Sequence, residues 1–132
     1  MWNDISTNDQ AQEFMESIFY FHDSCIKEMR YVSGAYVNEE LGMYPINEKR
    51  SLSVIIQRQF EDIPVLELEF GGLDHMYLRP IDPGHTCEIL DATLLVKGDR
   101  IYWCDWGGIH EDELEGYNGT LICSETLRWR AL

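Results

Sequence analysis

The spacing of apolar residues changes once along this chain, and that change restricts the fold more than any other feature. Between Thr7 and Tyr20, apolar side chains recur every three to four residues, which is the period of an amphipathic helix. Thr7 and Gln10 have the form of a capping box at its start. From Cys25 onward the period falls to two, which is typical of half-buried strands. The pattern therefore predicts one helix followed only by strands.

Six or seven short strands are predicted after the helix, at residues 25–32, 52–60, 66–70, 76–81, 90–96, 101–106 and 120–129. Gly71-Gly72 is expected to end the third. Strands joined by short links pair antiparallel, and one helix covers only one face of a sheet. We predict a single α+β domain over residues 1–132, with the N-terminal helix packed on a curved, mostly antiparallel sheet or partial barrel.

The charge balance indicates which partners to expect. Ten Lys and Arg residues stand against 24 Asp and Glu residues, a formal net charge of −14. Such a chain repels nucleic acid and anionic membrane surfaces, which bind through Lys and Arg. No stretch approaches the ~20 apolar residues that span a bilayer. The same field attracts a cationic protein, although acidity that serves only solubility is the alternative interpretation.

The cysteines and histidines show no metal-binding spacing. Cys25, Cys87, Cys104 and Cys123 include no Cys-x-x-Cys pair, and the four histidines are scattered over predicted loops. No basic region followed by an apolar stretch marks secretion, so we expect free thiols in the cytoplasm. Serine-nucleophile and phosphate-binding motifs are also absent. We therefore predict no metal, no cofactor and no catalytic residues.

One segment combines carboxylates with aromatic residues in the way that binding surfaces do. Residues 105–115 hold five carboxylates and no Lys or Arg, without the ladder of a calcium loop. We interpret the segment as a partner-binding loop with tryptophan anchors. The alternative is a solvated hairpin loop beside core tryptophans. The predicted partner-binding residues are Trp103, Trp106, Glu111, Asp112, Glu113 and Glu115.

Two further residues indicate an alternative, a ligand pocket on the concave face of the sheet. Arg58 interrupts an apolar strand face, and a buried arginine needs a carboxylate or an anionic ligand. His22 beside Asp23 has the composition of an oriented general base. The opposing interpretation is structural: Asp23 and Ser24 satisfy the backbone amides of a turn while His22 packs its ring at the helix end, and Arg58 forms a salt bridge or faces water.

The segments Phe21-His22-Asp23-Ser24, Ile101–Trp106 and Leu127–Arg130 carry a family resemblance. With them the chain resembles small bacterial proteins that have an early Phe-His-Asp-Ser motif, some of them akin to immunity proteins of bacterial toxin systems. The resemblance implies binding rather than catalysis, and it assigns no role to any residue.

The sequence thus favours an acidic cytoplasmic protein that binds a cationic toxin domain, with a nuclease as the expected partner type. A small-ligand-binding or enzymatic domain is the alternative, and a homodimer formed by pairing of sheet edges also stays open. A cleft in which imidazole, thiol and carboxyl groups converge would contradict a function limited to protein binding.

Overall fold

The computed structural model describes residues 1–132 and contains one α-helix and nine strands. The helix α1 spans Asn8–Ser17. Thr7 caps it, because its side chain accepts a hydrogen bond from the backbone N–H of Gln10. Single turns with 3₁₀-type hydrogen bonding occur at Phe19–Phe21, where the backbone is left-handed, and at Glu111–Glu113. The strands are β1 (Asn3–Ile5), β2 (Ser24–Val32), β3 (Tyr36–Val37), β4 (Met43–Tyr44), β5 (Ser51–Arg58), β6 (Val65–Tyr77), β7 (Thr93–Lys97), β8 (Arg100–Cys104) and β9 (Leu121–Ala131).

Seven strands form one antiparallel sheet in the order β2-β5-β6-β9-β8-β7, and β1 pairs with β9 beside this path. β3 and β4 form a separate two-stranded sheet. The α+β fold predicted from the sequence is confirmed. The sheet is neither closed nor strongly curled: its end strands β2 and β7 do not pair, and only an isolated bridge between Ser24 and Ile89 joins the two sides. The sheet therefore does not form the partial barrel that the sequence analysis gave as an alternative.

The main core lies between α1 and one face of the sheet. Ala11, Phe14 and Met15 of the helix are buried against residues that alternate along the strands, as the period-two pattern requires. The largest fully buried side chains there are Trp103, Phe21 and Phe70. No helix of the chain has the length and apolar character needed to cross a bilayer.

A left-handed turn connects the helix to β2. Phe19, Tyr20 and Phe21 have φ values of 53°, 55° and 63°, in the region that non-glycine residues rarely adopt. This conformation costs about 1–2 kcal/mol per residue. The turn places the Phe21 side chain in the core with no exposed surface, and full burial of such a side chain returns about 1.5–3 kcal/mol. Backbone hydrogen bonds from Ala92 to Tyr20 and from Asp23 to Ile89 add to this.

Both edges of the sheet are protected against pairing with another strand. The Asn8 side chain at the start of α1 accepts from the Val96 N–H at 2.9 Å and donates to the Val96 carbonyl at 2.8 Å, so it covers the β7 edge. On the β2 edge a bulge follows Ile26, and exposed Lys27, Glu28 and Arg30 add charge. These devices work against the edge-paired homodimer considered above.

Two differences from the predicted strands matter for the site. Gly71-Gly72 does not end a strand, because β6 continues through both glycines to Tyr77 and bulges between Leu73 and His75. A Cβ atom on Gly71 would clash with the Thr126 Oγ1 atom of β9, so glycine here allows the strands to approach. The short strands β1, β3 and β4 were not predicted, since two or three residues show no measurable period.

Candidate functional site

The loop of residues 107–119 covers the face of the sheet opposite α1. Its Leu114 is buried in a small second core with Cys104, Leu121 and Cys123. At its start, Thr93 Oγ1 donates to the Trp106 carbonyl at 2.7 Å and accepts from the Ile109 N–H at 3.2 Å. The loop is therefore anchored by packing and by side-chain hydrogen bonds.

The far end of this loop is held by one tyrosine–carboxylate pair. The Tyr117 hydroxyl donates to Asp105 Oδ1 at 2.5 Å, and the same oxygen accepts from the Thr120 N–H at 3.3 Å. Burial, and then the Asp105 carboxylate, raise the pKa of Tyr117 well above its ordinary value. The phenol is therefore neutral and acts as a donor.

The loop carboxylates separate into two roles. The Glu113 carboxylate turns back and accepts from the His110 N–H at 3.0 Å, which closes a capping box. Glu111, Asp112 and Glu115 are exposed and line a cleft of about 310 Å³, which we call the acidic cleft; its opposite wall includes His75, Tyr77 and Tyr102. None of the four predicted acids takes part in a salt bridge. The partner-accessible acids are thus the three in the cleft.

The two tryptophans lie in opposite environments. Trp103 is 1% exposed and packs edge-on against Phe21 with ring centroids 5.7 Å apart, so its side chain is not at the surface. Trp106 is 58% exposed and lines a different cleft of about 360 Å³, which we call the Trp106 cleft. Ile81 and Leu90, exposed by 47% and 54%, line it as well. Trp106 and the three free acids therefore face different clefts.

Most arginines of the chain are neutralised within it. Arg128 pairs with Glu69 at 2.7 Å and Arg130 with Glu67 at 2.8 Å, and both guanidinium groups stack over Trp2. Arg50 pairs with Glu125 at 3.2 Å. Because the paired acids lie on the sheet, the excess negative charge falls on the loops and on α1.

The predicted ligand-pocket residues make bonds within the chain. His22 Nδ1 lies 2.7 Å from the Leu90 carbonyl, which can only accept, so Nδ1 carries the proton. Arg58 is 8% exposed, its Nη1 donates to the carbonyls of Asp62 and Ile63 at 2.7 Å, and its guanidinium lies over the Phe60 ring. Burial lowers the pKa of Arg58 from its usual value. Backbone carbonyls thus take the part that the sequence assigned to a carboxylate or a ligand, although Arg58 Nε is buried without a partner.

Three chemically active groups meet at the β6 bulge. Consecutive strand residues point to opposite faces, but the bulge lets Asp74 and His75 approach each other, with Asp74 Oδ2 2.7 Å from His75 Nδ1. This hydrogen bond is the main cause that lowers the pKa of Asp74. Cys123 is the direct cross-strand partner of His75 on β9. The ligand atoms of all three residues lie within 4.8 Å of one another.

Carboxyl, imidazole and thiol groups thus converge at one point. The sequence analysis named a cleft with such a convergence as the finding that would contradict a function limited to protein binding. The thiol is sealed, however, because Cys123 is 1% exposed beneath the loop of residues 107–119. Burial raises the pKa of Cys123, which keeps it protonated. Sequence spacing missed the cluster because Cys123 is distant along the chain and only the β6–β9 register brings it to His75.

No protein-family model matches this chain, and no curated protein or solved structure matches it significantly.

Proposed function

We propose that this chain is a cytoplasmic protein-binding domain that covers a cationic protein with its Trp106 cleft. The observation that carries the proposal is the exposed apolar group formed by Ile81, Leu90 and Trp106 around one cleft of about 360 Å³, in a chain of net charge −14. A partner that fills the cleft buries all three side chains and meets an acidic surround.

The apolar residues supply the affinity. An exposed tryptophan flanked by aliphatic side chains has the composition of an interface hot spot, where truncation of one residue costs about 2 kcal/mol or more. Exposed single apolar residues are ordinary, but three around one concavity are less so. The sequence analysis identified Trp106 but assigned Ile81 and Leu90 to predicted strands, whereas both lie in the connection between β6 and β7.

The charged residues around the cleft determine which partners are favoured. Glu88 and Asp105 line the Trp106 cleft. Asp91 lies beside it, since a Cβ atom added to Gly107 would be 2.7 Å from the Asp91 side chain. Arg79 is the one cation of the cleft, and its Nη1 donates to the Asn118 carbonyl at 3.2 Å. Carboxylates around an apolar centre favour a basic partner and repel an acidic one.

The finer form of the proposal follows the family resemblance: the partner is a toxin domain of nuclease type. Lys and Arg residues that bind phosphate in such a domain would pair with the carboxylates of this chain, which would then occupy the site of the nucleic acid. The chain would act as an immunity protein by covering that site, and it would perform no reaction on the partner.

Site-specific photo-crosslinking in the native host tests the proposal. A photoreactive phenylalanine analogue replaces Trp106 in one variant and Tyr36 in the control, since both positions are 58% exposed and Tyr36 lies on the separate β3–β4 sheet. We expect one basic protein crosslinked through position 106 and not through position 36. With that protein purified, Trp106→Ala should weaken binding by roughly 30-fold, the equivalent of about 2 kcal/mol.

Three outcomes contradict the proposal: no specific crosslink at position 106, a crosslink to an acidic protein, or a dissociation constant that Trp106→Ala leaves unchanged. A crosslink of the chain to itself would indicate self-association instead. Affinity that does not fall as salt rises from ~50 to ~500 mM would contradict the electrostatic part alone.

A further inference from the structure

We propose that Asp74, His75 and Cys123 form a zinc-binding site at the base of the loop of residues 107–119. The three residues offer a carboxylate oxygen, an imidazole nitrogen and a cysteine sulfur, which are the three donor types that Zn²⁺ binds in proteins. The Cys123 thiol would bind as thiolate and release its proton to solvent when the metal enters. The site is independent of the Trp106 cleft, which none of the three residues lines.

The separations of the donor atoms fit a tetrahedral ion after small shifts, in which the Asp74–His75 distance widens and longer separations contract. Bonds of about 2.0–2.3 Å hold the ligands of tetrahedral zinc about 3.5 Å apart. Here the Asp74 and His75 atoms are 2.7 Å apart, and all three donors fall within 4.8 Å. Side-chain shifts of about 1 Å therefore suffice.

The backbone holds these donors in place without a ligand. The antiparallel pairing of β6 and β9 sets His75 directly opposite Cys123, and the bulge between Leu73 and His75 adds Asp74 to the group. Bulges of this kind redirect side chains and occur often beside functional sites. A rigid sheet is also a better support for a metal than a loop is, because its donors need little ordering on binding.

The surroundings provide an entry path and a further ligand. The side chains of His75 and Asp74 are 39% and 42% exposed, and His75 opens into the acidic cleft. Glu111, Asp112 and Glu115 on its opposite wall attract cations. One of these carboxylates, or a water molecule, would fill the fourth coordination position of the zinc ion. Two cations of the chain compete with the metal. Lys97 also lines the acidic cleft, and Arg100 Nη2 lies 3.6 Å from Asp74 Oδ1 but keeps its second partner Asp99 when zinc binds.

Metal binding explains this cluster better than thiol catalysis. A nucleophile must reach its substrate, whereas Cys123 is 1% exposed and a bare ion needs only the space between its donors. The simpler interpretation is a surface Asp–His pair beside a core cysteine that binds nothing. The experiment below distinguishes these two interpretations.

Titration of the reduced, metal-free chain with Co²⁺, followed by displacement with Zn²⁺, tests the site. We expect a saturable 1:1 signal with the near-ultraviolet charge-transfer band of a cobalt–thiolate bond, and loss of that band on addition of Zn²⁺. Cys123→Ser should abolish the band. Cys104→Ser is the matched control, since Cys104 is also fully buried in the same small core but lies outside the cluster.

His75→Gln and Asp74→Asn act at partly exposed positions, so they report on the site even where Cys123→Ser impairs folding. Each should weaken Co²⁺ binding by about 100-fold or more, because loss of a second-shell residue already costs 10–100-fold. The proposal is overturned by a wild-type titration without a thiolate band, by a band that Cys123→Ser retains, or by affinity that both other variants leave unchanged. A band that disappears equally in Cys104→Ser would also overturn it.

Discussion

Single hydrogen bonds decide where the outer loop lies, and the Tyr117–Asp105 pair is the main example. The Tyr117 ring packs in the small second core while its hydroxyl reaches a carboxylate that also binds the Thr120 N–H. Gly119 is required beside it, because a Cβ atom there would lie 2.7–2.8 Å from Tyr117 and Asp105 atoms. The pair therefore joins the end of the loop to the residue that follows β8, and the Thr120 bond to the same carboxylate adds the start of β9.

Tyr117→Phe should lower the free energy of unfolding by about 1–2 kcal/mol at about pH 7, because it removes a hydrogen bond to a charged group. Since the folded-state pKa of Tyr117 is raised above the ordinary 10.0, its stabilising effect is complete below pH 10 and declines as the pH rises further. The difference between wild type and variant should therefore shrink between about pH 7 and about pH 11 in denaturant titrations.

Tyr36→Phe is the control for this prediction, since Tyr36 lies exposed on the β3–β4 sheet and its replacement should change little at either pH. A difference between wild type and Tyr117→Phe that grows toward alkaline pH would show that the Asp105 bond does not favour the neutral phenol.

At the residue scale, the sequence showed which side chains to examine better than it predicted what surrounds each of them in the fold. It predicted both Trp103 and Trp106 as binding anchors, but Trp103 lies on β8 with its side chain in the core, whereas Trp106 follows the end of β8 and is exposed. It did not predict the carbonyl partners of Arg58, because a tight turn at residues 59–64 presents backbone groups that no residue type signals. A pattern of side chains does not predict where backbone carbonyls will be available as hydrogen-bond acceptors.

At the scale of elements, the left-handed turn at Phe19–Phe21 is the least expected segment. A run of positive φ values without glycine has no sequence signature, yet it aims Phe21 into the core and connects the Phe-His-Asp-Ser segment to the chain before β7. His22 contributes through its bond to the Leu90 carbonyl. The other ring nitrogen of His22, Nε2, lies 3.5 Å from Asp23 Oδ2, so the imidazole links the Asp23 side chain to the chain before β7.

This turn predicts an inverted order of glycine and alanine variants. At Phe19 (φ 53°), glycine should be more stable than alanine by about 1 kcal/mol, because both lose the stacking on Phe60 but only alanine keeps the left-handed penalty. At Glu13, exposed within α1, alanine should be the more stable by a similar amount. Chemical denaturation of the four variants measures both differences. The same order at both sites would refute the left-handed geometry.

Element existence was more predictable than element continuity. The helix and the long strands follow from periods that burial enforces on every turn or every second residue. Gly71-Gly72 was interpreted as a strand end because glycine weakens strands, but the close approach of Thr126 makes glycine necessary within β6. The resulting bulge is what creates the Asp74–His75–Cys123 cluster, so the error concealed that candidate site.

At the scale of the whole molecule, repulsion among the excess acids opposes folding, and the ion pairs of the arginines favour it. Added salt weakens both of these electrostatic effects. The excess of acids is mostly exposed and spread over loops and α1, so compaction brings like charges together. The ion pairs Arg128–Glu69, Arg130–Glu67 and Arg50–Glu125 are at least partly exposed, and each contributes about 0–1 kcal/mol. Repulsion among a net charge of −14 should outweigh them.

Added salt should therefore stabilise this protein. Raising NaCl from about 0.05 to about 0.5 M shortens the screening length below about 10 Å and weakens the repulsion. We expect the melting temperature to rise by a few degrees, the equivalent of about 1 kcal/mol for a chain of this length. KCl should act alike, since screening depends on ionic strength rather than on the cation. A fall in melting temperature would show instead that the arginine pairs dominate the electrostatics of the folded state.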